Sequence, residues 1–297
     1  MRDLLAPRVF WIALALVTAC GGGADRGPAQ VQAEAETEGW HRARTGRAAV
    51  PLSRPVGVAA TPAARGFLGR AYGASRDTTG VLLPRAFDPA VADRYYLYLP
   101  RGIEARREWP LILYLHGRSL RGDDLALLTR YGLPARLEDE RDFPFVVVAP
   151  QLPGDQSWTD TDGLARLVRT VAGRYPVDRD RVYVIGYSMG GGGVWRVAAD
   201  HPELFAAAAP AAAWTPQPTD AVARALRDVP IRIYHGTADE AAPFSRAEVM
   251  AGALEAAGVD VTLTVYPGAR HPDLARIYQD DELYAWLLRH RRSAPAR

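Results

Sequence analysis

The chain has 297 residues, a length for one large domain or two ordinary ones. Hydrophobic residues make up 48%, enough to fill a core and to exclude a disordered protein, and a net charge of +2 gives no sign of a nucleic-acid surface. Every one of the 36 basic residues is arginine, so Walker-A phosphate binding, Schiff-base chemistry and pyridoxal-phosphate attachment, which need lysine, are excluded. Cys20 is the single cysteine, so no intrachain disulfide forms.

Arg2 and Arg8 precede an apolar run from Val9 to Ala19, which leads into Cys20 and three glycines. The run is too short to span a bilayer and suits the apolar region of a secretory signal. LVTAC, Leu16 to Cys20, resembles the bacterial lipobox. That resemblance implies cleavage before Cys20, acylation of its thiol and amine, and an extracytoplasmic protein held to a membrane, periplasmic or at the cell surface. Several acyl chains give firm attachment where one is marginal. The alternative is an ordinary secretory signal with an incidental cysteine. From Gly21 to about Thr61 the chain is rich in Gly, Ala, Arg, Glu and Pro with no apolar period, which reads as a tether. The expected organisation is a signal over 1–19, a lipidated cysteine and tether over 20–61, and one catalytic domain over 62–297.

Apolar runs then alternate with helical patterns. The first expected strand is Tyr95–Pro100, followed by Leu111–Gly117, Phe145–Pro150, Arg181–Gly186, Ile231–Gly236 and Val261–Pro267. Near-continuous apolar runs of this length suit strands covered on both faces. Helices are expected over Asp162–Arg174, Gly190–Asp200, Arg246–Ala257 and about Asp281–Arg291. The alternation predicts an α/β fold: a mostly parallel central sheet with helices on both faces. Ligands of such sheets bind at the carboxyl ends of the strands. His116, Ser188, Asp239 and His271 each lie just past a strand pattern.

GYSMG, Gly186 to Gly190, matches G-x-S-x-G between a strand and a helix. Such a tight turn holds the serine in a strained conformation, with flanking glycines admitting neighbouring chains. Ser188 then points into the cleft at a helix N-terminus, where the amide of Met189 donates to a developing oxyanion. A serine hydroxyl needs a base. His271 follows a strand and a loop and lies after the serine; His116 and His235 precede glycines at strand ends, which suits packing or turn hydrogen bonds. Serine, acid and histidine follow one another in this order in the α/β-hydrolases, and between Ser188 and His271 YHGTADEAAP resembles that acid loop and offers Asp239, with Glu240 and Asp273 as alternatives. The second oxyanion donor is expected at the backbone of Arg118, with Ser119 as the weaker candidate. The glycines at 190–193 read as close packing of the helix rather than as a dinucleotide loop. No clustered spacing for zinc is seen, so no metal or organic cofactor is expected.

Together LILYLHGRSLRGDD, APQLPGDQSW, VYVIGYSMGGGGVWRVAADHPELFAAAAPAAA, IRIYHGTADEAAP and YPGARHPDLARIYQDDELYAWLL resemble the α/β-hydrolase superfamily. Within it they resemble the secreted serine esterases variously labelled predicted peptidases, phospholipase/carboxylesterase-like and feruloyl-esterase-like proteins. The resemblance runs over about residues 95–290. It implies that Ser188, Asp239 and His271 hold the triad positions. It also places Trp158 where an aromatic often lies near the cleft, with core packing as the alternative. Tyr187, beside the serine, is expected to contact substrate. Many relatives carry a small residue where Arg118 stands, which leaves a backbone donor in place. The implied activity is hydrolysis of a small-molecule or polysaccharide-linked ester. A serine peptidase of small peptides and a tethered, non-catalytic binding protein are the alternatives.

Overall fold

The computed structural model describes residues 79–87, 94–105, 108–215 and 220–292. The expected signal, Cys20, the tether and the first residues of the expected domain lie outside them.

The core is an eight-stranded sheet in the order β1-β2-β4-β3-β5-β6-β7-β8. Its strands are β1 (Leu82–Ala86), β2 (Arg94–Tyr98), β3 (Trp109–Leu115), β4 (Val146–Gln151), β5 (Val177–Tyr187), β6 (Ala207–Ala211), β7 (Ile231–Gly236) and β8 (Val261–Tyr266). β1 and β2 pair antiparallel, and β2 pairs antiparallel with β4. Every pairing from β4 to β8 is parallel. The helices are α1 (Gly132–Asp139), α2 (Thr161–Arg174), α3 (Met189–Asp200), α4 (Asp220–Ala225), α5 (Phe244–Ala256) and α6 (Asp281–Leu288).

The apolar runs follow from burial on both faces. All seven residues of β3 and all six of β4 are buried. Alternate side chains feed two cores. Leu111, Leu113, Val146, Val148 and Val184 meet Leu164, Val168, Val194, Val197 and Met250 from α2, α3 and α5. Ile112, Tyr114, Val147 and Ile185 meet Leu133, Leu137, Leu283 and Leu287 from α1 and α6 on the other face. Each such aliphatic side chain contributes about 1.5–3 kcal/mol when taken fully out of water.

Two strands carry no strong sequence signal. β1 is a short edge strand containing Pro84, and an edge tolerates the missing amide donor. β6 is AAAPA, four weak strand formers and a proline, yet wholly buried in the sheet interior. Its pairs with β7 are Ala208↔Ile231 and Ala211↔Tyr234, skipping Pro210. α3 lies close against its end, because a Cβ on Gly191 would stand 3.0 Å from the Ala211 carbonyl oxygen and 2.7 Å from the Cβ of Ala213, just past the strand.

Candidate active site

β5 ends at Tyr187 and α3 begins at Met189, so one residue, Ser188, makes the whole turn. Its backbone sits at φ 56°, ψ −117°. Among the described residues only Ser188 and Ala212 hold positive φ without being glycine. Such strain persists only where surrounding structure imposes it. The Ser188 amide donates to the Ala211 carbonyl at 2.9 Å. The glycines on either side permit the approach: a Cβ on Gly186 would lie 2.6 Å from the Gly190 carbonyl oxygen, and one on Gly190 would lie 1.9 Å from that of Leu115. A Cβ on Gly193 would stand 2.6 Å from the Cβ of Trp158. The glycine run is therefore a packing surface for α3, as its position after the serine predicts.

The structure brings Ser188, His271 and Asp239 together from three strand ends. His271 opens the 3₁₀ segment His271–Gln279 after β8, and Asp239 follows β7. His271 Nε2 lies 2.8 Å from Ser188 Oγ, and its Nδ1 lies 2.7 Å from Asp239 Oδ2. The other carboxylate oxygen accepts from the amides of Ala241 at 3.0 Å and Ala242 at 2.8 Å. Burial alone would raise the Asp239 carboxyl; hydrogen bonds from His235 and His271, the His271 charge and the Ala242 amide outweigh it. The carboxyl is held well below the usual carboxylate range. Of the two imidazoles, His271 is the closer partner. His235 Nε2 gives its shorter bond to the Ala242 carbonyl at 2.8 Å and stands 3.4 Å from Asp239 Oδ2. Asp273, an alternative acid, instead accepts from the Arg270 amide at 2.8 Å. Glu240 is exposed beside Asp239, and no hydrogen bond joins it to His271.

Among the described residues, the amides of Met189 and Arg118 donate to no other group. Arg118 opens a 3₁₀ segment, Arg118–Leu120, directly after β3. That loop is braced from β4. Gln151 Nε2 donates to the carbonyls of Leu120 at 3.0 Å and Asp124 at 2.7 Å, and the Gly122 amide donates to Leu152 at 2.9 Å. Ser119, the weaker candidate, pairs its Oγ with Tyr131 Oη at 2.7 Å.

Two expected substrate contacts need correction. Trp158 is 1% exposed, its Nε1 donates to the His116 carbonyl at 3.0 Å, and its ring meets that of His116 edge-on at 4.9 Å. It is a core brace under the β3 loop, and it backs a cavity of about 410 Å³ along residues 152–164 that Ser188 does not line. Tyr187 is 6% exposed and faces His271 rather than open cleft. Its Oη donates to the His271 carbonyl at 2.8 Å, and the two rings lie 5.2 Å apart at 37°. Tyr131 packs edge-on against Tyr187 at 5.7 Å. Sequence reasoning missed this support, because strand alternation does not say which distant loop a tyrosine meets.

His116 is fully buried and neutral. Burial pushes its imidazole down to about 4, against a weaker raising effect of its bond to Gly117. Nδ1–H donates to the Gly117 carbonyl at 2.7 Å, and Nε2 accepts from the Leu152 amide at 3.1 Å, which fixes one tautomer. The unfolded chain takes up this proton near pH 6.5 and the folded chain only near pH 4, so stability falls as pH drops across that window. The expected loss is about 3 kcal/mol. Urea titrations at pH 7, 5.5 and 4 check this: the wild-type loss exceeds that of His116→Gln, and equal losses refute it.

Comparison with known proteins follows the same lines. Residues 154–282 match the profile of the dienelactone hydrolase family. NocK of Nocardia uniformis subsp. tsuyamanensis, provisionally named an esterase, is 39% identical over 85 residues, 29% of this chain and 24% of NocK. The solved structure of a thermostable esterase superposes with a TM-score of 0.60 at 25% identity, covering 72% of this chain and 64% of that one. The feruloyl esterase module of Clostridium thermocellum, in complex with sinapinate, superposes at 0.51 with 14% identity, over 64% of this chain and 81% of that one. The chain thus spans under two thirds of the thermostable esterase and about a quarter of NocK. The fold is that of the α/β-hydrolases.

Proposed function

We propose that this protein is an extracytoplasmic serine hydrolase that cleaves carboxylic esters through an acyl-enzyme. The observation that carries the reading is the continuous hydrogen-bonded chain from Asp239 through His271 to a serine held at positive φ. Ser188 Oγ attacks the ester carbonyl carbon while His271 Nε2 takes its proton. Asp239 stays ionised, orients the imidazole and stabilises the imidazolium. The amides of Met189 and Arg118 receive the oxyanion. His271 then protonates the departing alcohol. Water, deprotonated by the same nitrogen, releases the acid and frees Ser188. The esterases among the structural neighbours support the choice of ester. The run Val9–Ala19 and Cys20 support the location.

The test is direct. Wild type turns over p-nitrophenyl esters from acetate to octanoate, and a fluorophosphonate probe labels Ser188. Failure of both refutes the reading. For the location, Cys20→Ser abolishes incorporation of radiolabelled palmitate; wild type that takes up no label refutes the anchor.

Tyr187 acts in this reaction by holding His271. Tyr187→Phe removes one hydrogen bond to the loop that carries the base and keeps the ring. A bond of that kind is worth about 1 kcal/mol, so kcat falls about fivefold with KM nearly constant. Tyr187→Leu, which also loses the ring contact, falls further. A change confined to KM would instead restore Tyr187 as a substrate contact.

A further inference from the structure

The second strained residue of the described chain lies against the first. Ala212 sits at φ 44° and is fully buried. Its amide donates to Tyr234 at 2.9 Å, while the carbonyl of Ala211 before it receives the Ser188 amide. Alanine in a left-handed conformation is held there by its surroundings, and such strain clusters at ligand sites. Here it turns the chain leaving β6 across the first turn of α3. The Trp214 carbonyl oxygen lies 3.3 Å from where a Cβ on Gly192 would stand.

Trp214 is the one exposed aromatic among the described residues, at 49%. The Arg246 guanidinium lies 5.3 Å from its ring centroid. Arg246 is in the first turn of α5, which starts five residues after Asp239. Trp214 thus stands between the helix that follows Ser188, which its carbonyl meets, and the helix that follows Asp239, whose Arg246 meets its ring. In the sheet order, β6 lies on one side of β5 and β3, with its Arg118 loop, on the other. No carboxylate among the described residues pairs with Arg246.

We propose that Trp214 and Arg246 form a subsite for an electron-rich, phenol-type aromatic ring carried by one half of the ester. The inference rests on the ester-hydrolase reading. Arg246 occupies one face of the indole and draws on its electron density. The free face then favours stacking on an electron-rich ring over the C–H contacts of a sugar, which need a rich face. The guanidinium edge can hold a ring oxygen.

The experiment compares kcat/KM for methyl 3-(4-hydroxyphenyl)propanoate, methyl 3-phenylpropanoate, methyl butanoate and the methyl ester of a glucuronoside, with the full-length chain. Wild type prefers the aryl esters, and Trp214→Ala lowers the aryl-to-butanoate ratio about tenfold. Trp214→Phe recovers part of it. Arg246→Gln narrows the preference for the hydroxylated over the plain ring. If wild type hydrolyses methyl butanoate but Trp214→Ala leaves the ratio unchanged, the subsite is refuted and the ester-hydrolase reading stands. A Trp214-dependent preference for the glucuronoside overturns it in favour of a sugar platform. If wild type hydrolyses none of these esters and fluorophosphonate leaves Ser188 unlabelled, both fall.

Discussion

Ser188→Ala and His271→Ala each lower kcat for p-nitrophenyl acetate by about 10⁶-fold, and the double variant is no slower than either. The physical reason is the single hydrogen bond of 2.8 Å between Nε2 and Oγ. A serine without a base is a weak nucleophile, and a base without a serine has nothing to activate. Either loss removes the whole attack. Asp239→Asn keeps shape and packing yet costs about 10⁴-fold. A carboxylate at 2.7 Å from Nδ1 requires that nitrogen to carry the proton, leaving Nε2 free to accept from the serine. An amide group turned toward Nδ1 reverses the tautomer. Residual turnover over water, about 10³-fold, belongs to the amides of Met189 and Arg118. The measurement is steady-state hydrolysis with active-site titration. Ser188→Ala retaining a tenth of wild-type activity refutes the assignment. So does a double variant far slower than the singles.

Gly190→Ala unfolds or severely destabilises the domain, although alanine is the better helix former. Its Cβ would lie 1.9 Å from the Leu115 carbonyl oxygen, 2.5 Å from that carbonyl carbon and 2.8 Å from the His116 oxygen. All three are backbone atoms at the end of β3, so no side chain can swing away. Relief requires α3 to lift off the sheet, carrying Ser188 with it. Such overpacking costs about 4 kcal/mol or more, which corresponds to a Tm lower by about 10 °C for a domain of this size. Gly173→Ala is the control. That glycine is in α2 with nothing within 4 Å of a built Cβ, and the exchange is expected to stabilise by up to about 1 kcal/mol. Differential scanning calorimetry separates the two. A Gly190→Ala domain melting within a degree or two of wild type refutes the packing argument.

Much of the site was legible before any coordinates. Gly-x-Ser-x-Gly between an apolar strand and a helix is a local pattern, since the turn is made by the chain's own neighbours. Ser188, Asp239 and His271 could be placed past strand ends, which all open on one edge of a parallel sheet, and their order along the chain is what the α/β-hydrolase resemblance implies. Among carboxylates, Asp239 and not Glu240 or Asp273 meets His271, because its side chain is buried under the amides of Ala241 and Ala242. The strongly apolar strands were also readable, since burial on both faces demands unbroken apolar runs. β6 was not. Its alanines and proline are weak strand formers, and their place in the sheet interior is set by pairing with β5 and β7, partners separate in sequence.

The side chains around the triad show the same division. Trp158 and Tyr187 were aromatic residues near the right motifs, and sequence could say no more than that they lay near. Tertiary structure sends one beneath the β3 loop as a brace on the His116 carbonyl and the other under His271 as a support. Trp214 follows a featureless run of alanines and drew no attention. A left-handed alanine turns the chain so that the Trp214 carbonyl meets Gly192 in the first turn of α3. The sequence by itself determined the strand–helix alternation and the strand-end positions of Ser188, Asp239 and His271, because both arise from local pattern and hydrophobic periodicity. Which faces those residues present, and to whom, was decided only where separate segments pack at van der Waals distance.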